Sequence, residues 1–317
     1  MRKRTIIGIC ITALLIAGML KAVPPSEVLP YIKETNPLYF ALACIVNFAT
    51  VALRARRWQL LIGHIRRIPY LETFKLMTIG IAVNSVIPLR AGEAMRSYSL
   101  ASRWNLGKRE SVSTVLVDRS FDVVSFGLLL LVATRLMKLP EAMSSQTYGL
   151  AFSSLALAVS FPVVAWLGRT IRHQPDEKYS SELQRNIALK LEPLSRGYSS
   201  LSCTAAIASI GLSLVAWTAQ IFVAVLASRA VGISLPLGTI ALAVFAVNVA
   251  SALPLTPANI GVFQIAFLFT LSAYGFDKAS SFAVATVFQA ALVIPVTVFG
   301  LILLNDRRER SRQAASL

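Results

Sequence analysis

Three charged side chains interrupt an otherwise apolar stretch of the sequence, residues 111–134. They are Asp118, Arg119 and Asp122; on a helix the two aspartates share one face, and Arg119 lies three residues before Asp122. Each charge would cost about 3 kcal/mol in the middle of a bilayer, so such groups usually face a protein interior or an aqueous cavity and mark a pathway. Two carboxylates on one face also favour proton sharing, because neighbouring negative charges destabilise each other.

A second group of polar residues ends an earlier apolar run and consists of Arg54, Arg56, Arg57 and Trp58. One interpretation is a membrane-interface anchor, since arginine and tryptophan are common where a span meets the headgroups. Another places the group at the cytoplasmic mouth of a lipid path. A third is structural: Arg54 or Arg56 pairs with the carboxylates of 111–134 and fixes helix packing.

Helix-breaking and charged residues follow a short apolar run, 74–89. The candidate site residues here are Asn84, Pro88, Arg90, Gly92, Glu93 and Arg96. Pro88 and Gly92 predict a sharp turn. A helix that starts near Gly92 would present unpaired amides beside Arg90, which is a natural phosphate site, and Glu93 could pair with Arg96 along one face. The alternative is an ordinary basic cytoplasmic loop.

A second breaker-rich segment separates the apolar runs 237–253 and 262–274. Its candidate gating residues are Asn248, Pro254, Pro257, Asn259, Gly261 and Gln264. The segment offers amide and hydroxyl groups but no charge, and two prolines do not fit a plain helix interior. The alternative is a wide extracellular turn between two ordinary spans. The sequence contains no metal-ligand spacing, serine triad or phosphate-loop pattern, so we expect neither a metal nor a cofactor.

The composition of the chain indicates what kind of helices hold these residues. The chain has 317 residues, is 56% hydrophobic and only 15% charged, with apolar residues gathered in long runs. These values exclude a soluble enzyme, a disordered tail and a disulfide-stapled domain. An N-terminal Arg-Lys-Arg followed by an apolar run is typical of an uncleaved anchor here, although it resembles a signal peptide.

We therefore predict an all-α polytopic membrane protein with about six full transmembrane helices and two re-entrant helical hairpins. The hairpins correspond to the two interrupted segments, since broken spans are tolerated where they line a protein-walled cavity. The predicted full spans are residues 6–20, 38–53, 111–134, 149–168, 201–227 and 282–304.

The net charge of +16 is explained by topology. With both termini in the cytoplasm, 24 of the 31 Lys and Arg residues fall on the inner side and six on the outer side. This is a strong positive-inside asymmetry, and it removes nucleic acid as a leading partner.

An internal similarity links the two interrupted segments. Residues 82–89 read AVNSVIPL and residues 246–255 read AVNVASALPL. The single membrane domain, 1–317, would then contain two repeats, about 38–134 and 201–304, of inverted topology. A binding site near the bilayer midplane is typical of such repeats. Chance similarity of two apolar stretches is the alternative.

Four motifs in this order carry a resemblance: RARRWQLL at 54–61, NSVIPLRAGEAMR at 84–96, DRSFD at 118–122 and LPLTPANIGVFQ at 253–264. Together they resemble the flippase-like transmembrane domain of bacterial lysylphosphatidylglycerol synthases and its stand-alone relatives, over roughly residues 5–305. The resemblance implies a multi-pass protein of the inner (plasma) membrane that moves lipids or lipid-linked glycans between leaflets. It also implies a glycosyltransferase or a lipid-modifying enzyme as a possible partner.

Two positions depart from that family's usual pattern. Asp118 stands where a glutamate is usual, and Gln264 stands where an acid is common, which weakens any mechanism that needs a charge at the second hairpin. The sequence contains no segment like the soluble aminoacyl-transferase domain, so we do not expect lysylphosphatidylglycerol synthesis.

The leading hypothesis is a lipid translocase for an anionic phospholipid or a polyprenyl-phosphate-linked glycan. The alternatives are a membrane-embedded headgroup-modifying enzyme that uses Asp118, Asp122 and Glu93 as acid and base groups, a scaffold for a glycosyltransferase, or a small-solute transporter. The sequence leaves the lipid, the energy source and the oligomeric state open.

Overall fold

The computed structural model describes residue 18 and residues 23–87, 90–136, 201–251 and 256–315. In these ranges the regular secondary structure is entirely helical. The α-helices are α1 (Pro25–Lys33), α2 (Pro37–Ile62), α3 (Tyr70–Val86), α4 (Ala91–Trp104), α5 (Lys108–Leu136), α6 (Cys203–Ala230), α7 (Leu237–Ala250), α8 (Val262–Ala273) and α9 (Lys278–Ala315), and a 3-10 turn covers Pro257–Asn259.

Among the described residues, three helices are long and apolar enough to cross a bilayer: α2 with 26 residues, α6 with 28, and the Lys278–Asp306 part of α9 with 29. They contain the predicted spans 38–53 and 282–304, and the predicted span 201–227 from residue 203 onward. The predicted span 111–134 lies in α5, whose 29 residues suffice in length but carry charges. The predicted spans 6–20, apart from residue 18, and 149–168 lie outside the described residues, so the number of spans stays a prediction.

The described residues divide into two compact units. Unit 1 takes those within Met1–Ala52, Lys75–Glu93 and Ala216–Leu317, and unit 2 takes those within Leu53–Phe74 and Ala94–Val215. Unit 1 has an extensive apolar core, in which Phe288 of α9 stacks against Phe263 and Phe267 of α8. Unit 2 has a small apolar cluster around Leu61, Val117 and Phe121, and much of its remaining interior is polar.

Both predicted interruptions are breaks between helices. The first separates α3 from α4, and a Cβ at Gly92 would lie 1.8 Å from the carbonyl oxygen of Gly80, so only glycine permits this approach of α4 to α3. The second separates α7 from α8, which pack against each other as a hairpin. Left-handed backbone marks both breaks, with φ of 55° at Arg90 and 50° at Ala258. Whether either hairpin is re-entrant stays a prediction, and Pro88 and Pro254 lie outside the described residues.

A proline inside α9 is compensated from a neighbouring helix. Pro295 has no N–H, so the carbonyl of Ala291, four residues earlier, loses its usual helical partner. The buried side chain of Asn47 in α2 supplies one, because its Nδ2 donates to the Ala291 oxygen at 3.1 Å and to the Leu292 oxygen at 3.0 Å. This bond ties α2 to α9 within unit 1.

Replacement of Asn47 by Leu is therefore expected to destabilise the protein by about 1–3 kcal/mol, because it leaves a buried carbonyl unsatisfied. In a Pro295→Ala background the cost should shrink, since that substitution restores a backbone N–H that can donate to the Ala291 oxygen. Thermal unfolding in detergent of the two single variants and the double variant measures this coupling. Thr50→Val is the control, because the buried Thr50 hydroxyl donates only within its own helix, to the Val46 oxygen at 3.1 Å. Equal costs in both backgrounds would contradict the explanation.

Candidate functional site

The polar interior of unit 2 is organised around Arg57, which lies near the end of α2. Its Nε donates to Asp118 Oδ1 at 2.9 Å, and its Nη2 lies 2.8 Å from the same oxygen. Its Nη1 donates to Asp122 Oδ1 at 2.6 Å and to the Ser213 hydroxyl oxygen at 2.7 Å. The side chains of Arg57 and Asp118 are each only 1% exposed. One guanidinium therefore joins α2, α5 and α6.

A second arginine reaches the same carboxylate from α4. Arg96 Nη2 donates to Asp118 Oδ2 at 3.1 Å, and the Arg96 side chain is 2% exposed. Its guanidinium carbon stacks over the ring of Trp58, 4.3 Å from the ring centroid, in a cation–π contact. Trp58 itself is fully buried, and its Nε1 donates to the Thr114 hydroxyl oxygen at 3.3 Å. Asp118 is thus held from two sides by arginines.

A third arginine binds the other carboxylate. Arg119 Nη1 donates to Asp122 Oδ2 at 3.1 Å, and this pair is the more accessible part of the group, with side chains 35% and 11% exposed. Arg54, which is half-buried, also interacts electrostatically with Asp122. We call the five side chains that pair directly the arginine–aspartate network: Arg57, Arg96, Asp118, Arg119 and Asp122.

The network has unequal numbers of charges, with three arginines against two aspartates in the described part of the chain. Buried ion pairs carry a desolvation cost of several kcal/mol per ion, and only good geometry with further hydrogen bonds repays it. The short contacts and the Ser213 hydroxyl provide that geometry for Arg57. Guanidinium groups attract anions, and Arg119 is the arginine of the network that solvent reaches.

The structure refines one interpretation of the arginine group. That interpretation paired Arg54 or Arg56 with the aspartates; Arg54 interacts electrostatically with Asp122, and the residue with direct bonds to both aspartates is Arg57. Arg56 is exposed and donates to the side-chain oxygen of Gln59. Arg57 and Trp58, which the sequence groups with Arg54 and Arg56, therefore belong to the aspartate site. The assignment of this group to a cytoplasmic mouth stays a prediction.

Sequence reasoning also missed three polar partners: Ser213, Thr114 and, in unit 1, Gln289. Ser213 and Gln289 lie inside apolar runs, and a buried polar residue in such a run is the signal that could have found them. Thr114 lies one turn before Asp118 on the same helix face, so the spacing could have linked it to the site.

The first break is fixed in unit 1 by an asparagine. Asn84 Oδ1 accepts a 2.7 Å hydrogen bond from the Gly92 N–H, so the side chain caps the start of α4. Arg90, in its left-handed conformation, has its Nη1 3.8 Å from Glu93 Oε1, and both side chains are partly exposed. The predicted turn residues Asn84 and Gly92 are thus brought together.

The second break is fixed by a chain of neutral amides. Gln264 Oε1 accepts from the Gly261 N–H at 2.9 Å, and its Nε2 donates to Gln289 Oε1 at 2.7 Å. Gln289 Nε2 then donates to the carbonyl oxygen of Ala258 at 2.9 Å. The residue that replaces the family's common acid therefore has a structural role, holding the strained turn of Ala258 and Asn259 against α9.

The two aligned asparagines of the predicted repeat differ in their contacts. Asn84 Oδ1 bonds across its break, whereas Asn248 Nδ2 donates to the Val244 oxygen, four residues earlier in its own helix, at 2.7 Å. The similarity of the two segments thus does not extend to these hydrogen bonds. Among the described residues, no cluster of three His, Cys, Asp or Glu side chains is arranged to hold a metal ion.

Replacement of Arg57 by Gln is expected to destabilise the protein by about 3–5 kcal/mol, because it leaves two buried carboxylates without their shared cation. Adding Asp118→Asn and Asp122→Asn should recover part of this loss. The measurement is thermal unfolding in detergent. Arg103→Gln is the matched control, since Arg103 is 41% exposed and its Nη1 lies 3.5 Å from Glu72 Oε2, and it should change stability by less than about 0.5 kcal/mol. Equal losses in the Arg57 and Arg103 variants would contradict the central role of Arg57.

Comparison with known proteins finds several relatives of this chain. The chain is 26% identical to the glycosyltransferase AglD of Haloferax volcanii over 94% of this chain and 54% of that protein, so it spans about half of that relative. It is 24% identical to the UPF0104 membrane protein MJ1078 of Methanocaldococcus jannaschii over 70% of this chain and 92% of that protein. A UPF0104 membrane protein of Methanothermobacter thermautotrophicus is 25% identical over 40% of this chain and 38% of its own length.

The family described as the lysylphosphatidylglycerol synthase TM region matches residues 5–300, almost the whole sequence. The matched region covers α2, α6 and the part of α9 up to residue 300. It also contains all five members of the arginine–aspartate network. The resemblance drawn from the four sequence motifs is thereby confirmed. The chain is a membrane protein that belongs to the lysylphosphatidylglycerol synthase TM region family.

Proposed function

We propose that this chain is a flippase-like lipid translocase that moves an anionic phospholipid or a lipid-linked glycan between leaflets. The observation that carries the proposal is the arginine–aspartate network, in which three arginines surround two aspartates and Arg119 is 35% exposed. A phosphate group on a passing headgroup is the anion that a membrane offers in abundance. Arginine binds phosphate in a bidentate manner, which suits it to this role.

The exposure of the network suggests where the headgroup binds. Arg119 is the accessible arginine, and its partner Asp122 is the more accessible aspartate. We infer that an incoming phosphate competes with Asp122 for Arg119, while Arg57 and Arg96 keep Asp118 in place. The network would then change partners during transport rather than share a proton, because a cation already lies between the two carboxylates.

The two breaks would form the gates. We propose that the protein lies in the plasma membrane with both chain termini in the cytoplasm. The α3–α4 hairpin would enter the membrane from the cytoplasm and the α7–α8 hairpin from the outside. The first gate would use Asn84, Arg90 and Gly92. The second would use Asn248, Pro257, Asn259, Gly261 and Gln264. Pro88 and Pro254, which lie outside the described residues, are assigned to the same gates from the sequence alone.

A second candidate is suggested by one relative's name. AglD is named a glycosyltransferase, and this chain matches 54% of it. The corresponding proposal is that this chain serves a glycosyltransferase or a lipid-modifying enzyme, as a scaffold or as the membrane part of the reaction. A chemically altered lipid found by mass spectrometry after incubation with the purified protein would favour an enzyme over a translocase.

The translocase is tested in liposomes that contain the purified protein and a fluorescent phosphatidylglycerol whose outer-leaflet fraction is quenched with dithionite. Arg119→Gln should slow exchange about tenfold, equivalent to about 1.4 kcal/mol, because it removes the arginine that the phosphate reaches first. Arg103→Gln is the matched control, being an exposed arginine paired with an acidic residue, and should exchange lipid at the unaltered rate. A zwitterionic phosphatidylcholine probe should move more slowly than phosphatidylglycerol.

Two results would overturn the proposal. One is leaflet exchange that is no faster than in protein-free liposomes. The other is an equal rate for the Arg119 and Arg103 variants, because it would separate exchange from the arginine–aspartate network.

A further inference from the structure

Among the described residues of unit 2, three serines have fully buried hydroxyls without a hydrogen-bond partner: Ser111 and Ser125 in α5, and Ser209 in α6. Serines inside helices usually donate to a carbonyl three or four residues earlier. Ser113 does so in α5, with a 2.7 Å bond to the Glu110 oxygen, and Ser213 does so in α6, with a 2.7 Å bond to the Ser209 oxygen. The local backbone therefore offers partners that the three unpartnered hydroxyls do not use.

Helical geometry places these serines around the arginine–aspartate network. Ser125 lies three residues after Asp122, one turn along α5. Ser209 lies one turn before Ser213, whose hydroxyl accepts from Arg57. Two of the unpartnered hydroxyls are thus next to residues of the site on two different helices.

The third serine extends the same helix face in the other direction. Ser111, Thr114, Asp118, Asp122 and Ser125 follow one another at spacings of three or four residues, so they share one face of α5. All five are buried. The face spans about 21 Å at the rise of an α-helix, which is most of the hydrocarbon thickness of a bilayer.

A buried hydroxyl without a partner costs about 1–3 kcal/mol, because it has lost its bonds to water and gained none. Two such groups lie along this face of α5, which we call the polar track, and a third lies in α6 one turn from Ser213, so the described conformation is costly there. The cost is relieved when the track opens and polar atoms reach the hydroxyls. Because Arg57, Arg96 and Arg119 belong to the adjacent network, the favoured polar atoms are the oxygens of an anion.

We propose that Ser111, Ser125 and Ser209 are headgroup-binding residues, whose hydroxyls donate to the phosphate oxygens of an anionic lipid as it moves along the buried face of α5. The described conformation is then the closed one, with the track shut. This inference rests on the proposed function and adds the path and the chemical class of the ligand: a phosphate group with a net negative charge.

Cysteine accessibility tests the proposal. The three native cysteines, Cys10, Cys44 and Cys203, are first replaced by serine, and Ser125→Cys and Ser209→Cys are made in the protein reconstituted in phosphatidylcholine vesicles. A thiosulfonate reagent reacts with the thiolate, which forms in water, so it reports on opening of the track. The controls are Ser113→Cys and Ser228→Cys, since both serines are buried but donate to a carbonyl, Glu110 at 2.7 Å and Val225 at 2.8 Å.

We expect the cysteines at positions 125 and 209 to react at least about tenfold faster than the control cysteines. Phosphatidylglycerol in the vesicles should slow their reaction about tenfold, which corresponds to a free energy of about 1.4 kcal/mol. Protection by inorganic phosphate in phosphatidylcholine vesicles would also support a phosphate site, with the free ion as the source. Equal reactivity of all four cysteines, or reactivity unaffected by either anion, would overturn the proposal. Protection by phosphatidylglycerol without any leaflet exchange would refute the translocase but keep the binding site.

Stability measurements give an independent test, because two serine-to-alanine variants should change the melting temperature differently. Ser125→Ala should leave the melting temperature unchanged or raise it by about 2 °C, because it removes an unsatisfied group, while it slows phosphatidylglycerol exchange. Ser113→Ala should lower the melting temperature by about 2 °C, because it removes a formed hydrogen bond, and keep the exchange rate. Losses of stability that are equal in both variants would show that the Ser125 hydroxyl is satisfied in the closed state and would overturn the proposal.

Discussion

The bond between Arg57 and the two aspartates of α5 is the constraint on which unit 2 depends. Two carboxylates one helical turn apart cannot be buried together without a cation, and Arg57 reaches both through different nitrogens, with bonds of 2.9 Å to Asp118 and 2.6 Å to Asp122. The same guanidinium bonds to Ser213, so the rotation of α2, α5 and α6 about their own axes is fixed together.

At both helix breaks of unit 1, side chains form hydrogen bonds to backbone groups of the break, but the side chains differ. At the first, Asn84 caps the Gly92 amide directly and a charged pair, Arg90 and Glu93, lies beside it. At the second, the neutral pair Gln264 and Gln289 connects the turn to α9. A glutamate at position 264 would bring a charge into this buried position, and the glutamine keeps the hydrogen bonds without the cost of burying it. Only one of the two breaks therefore offers charge to a ligand.

Much of the architecture could be predicted from hydropathy, because 38–53, 201–227 and 282–304 are apolar in composition alone. The interrupted segments were also predictable, since proline and glycine there leave little choice of backbone. The partner of Asp118 was not predictable, because Arg54, Arg56 and Arg57 lie in the same helix and only the rotation of that helix decides which arginine faces inward. Asn47, Ser213 and Gln289 give weak signals, since a single neutral polar residue costs little in a span and its partner is set by tertiary contacts.

The network is asymmetric, and the asymmetry decides which part of it can move. Asp118 is bound by Arg57 and Arg96, all three nearly fully buried, and Arg96 is further held by its stacking on Trp58. Breaking that side would expose several unpaired charges to an apolar interior at once. Asp122 shares Arg57 but has a second contact to Arg119, which is 35% exposed, so solvent or a headgroup can replace that contact at little cost. An exchange of partners would therefore start at Asp122 and Arg119, while Asp118 keeps both of its arginines.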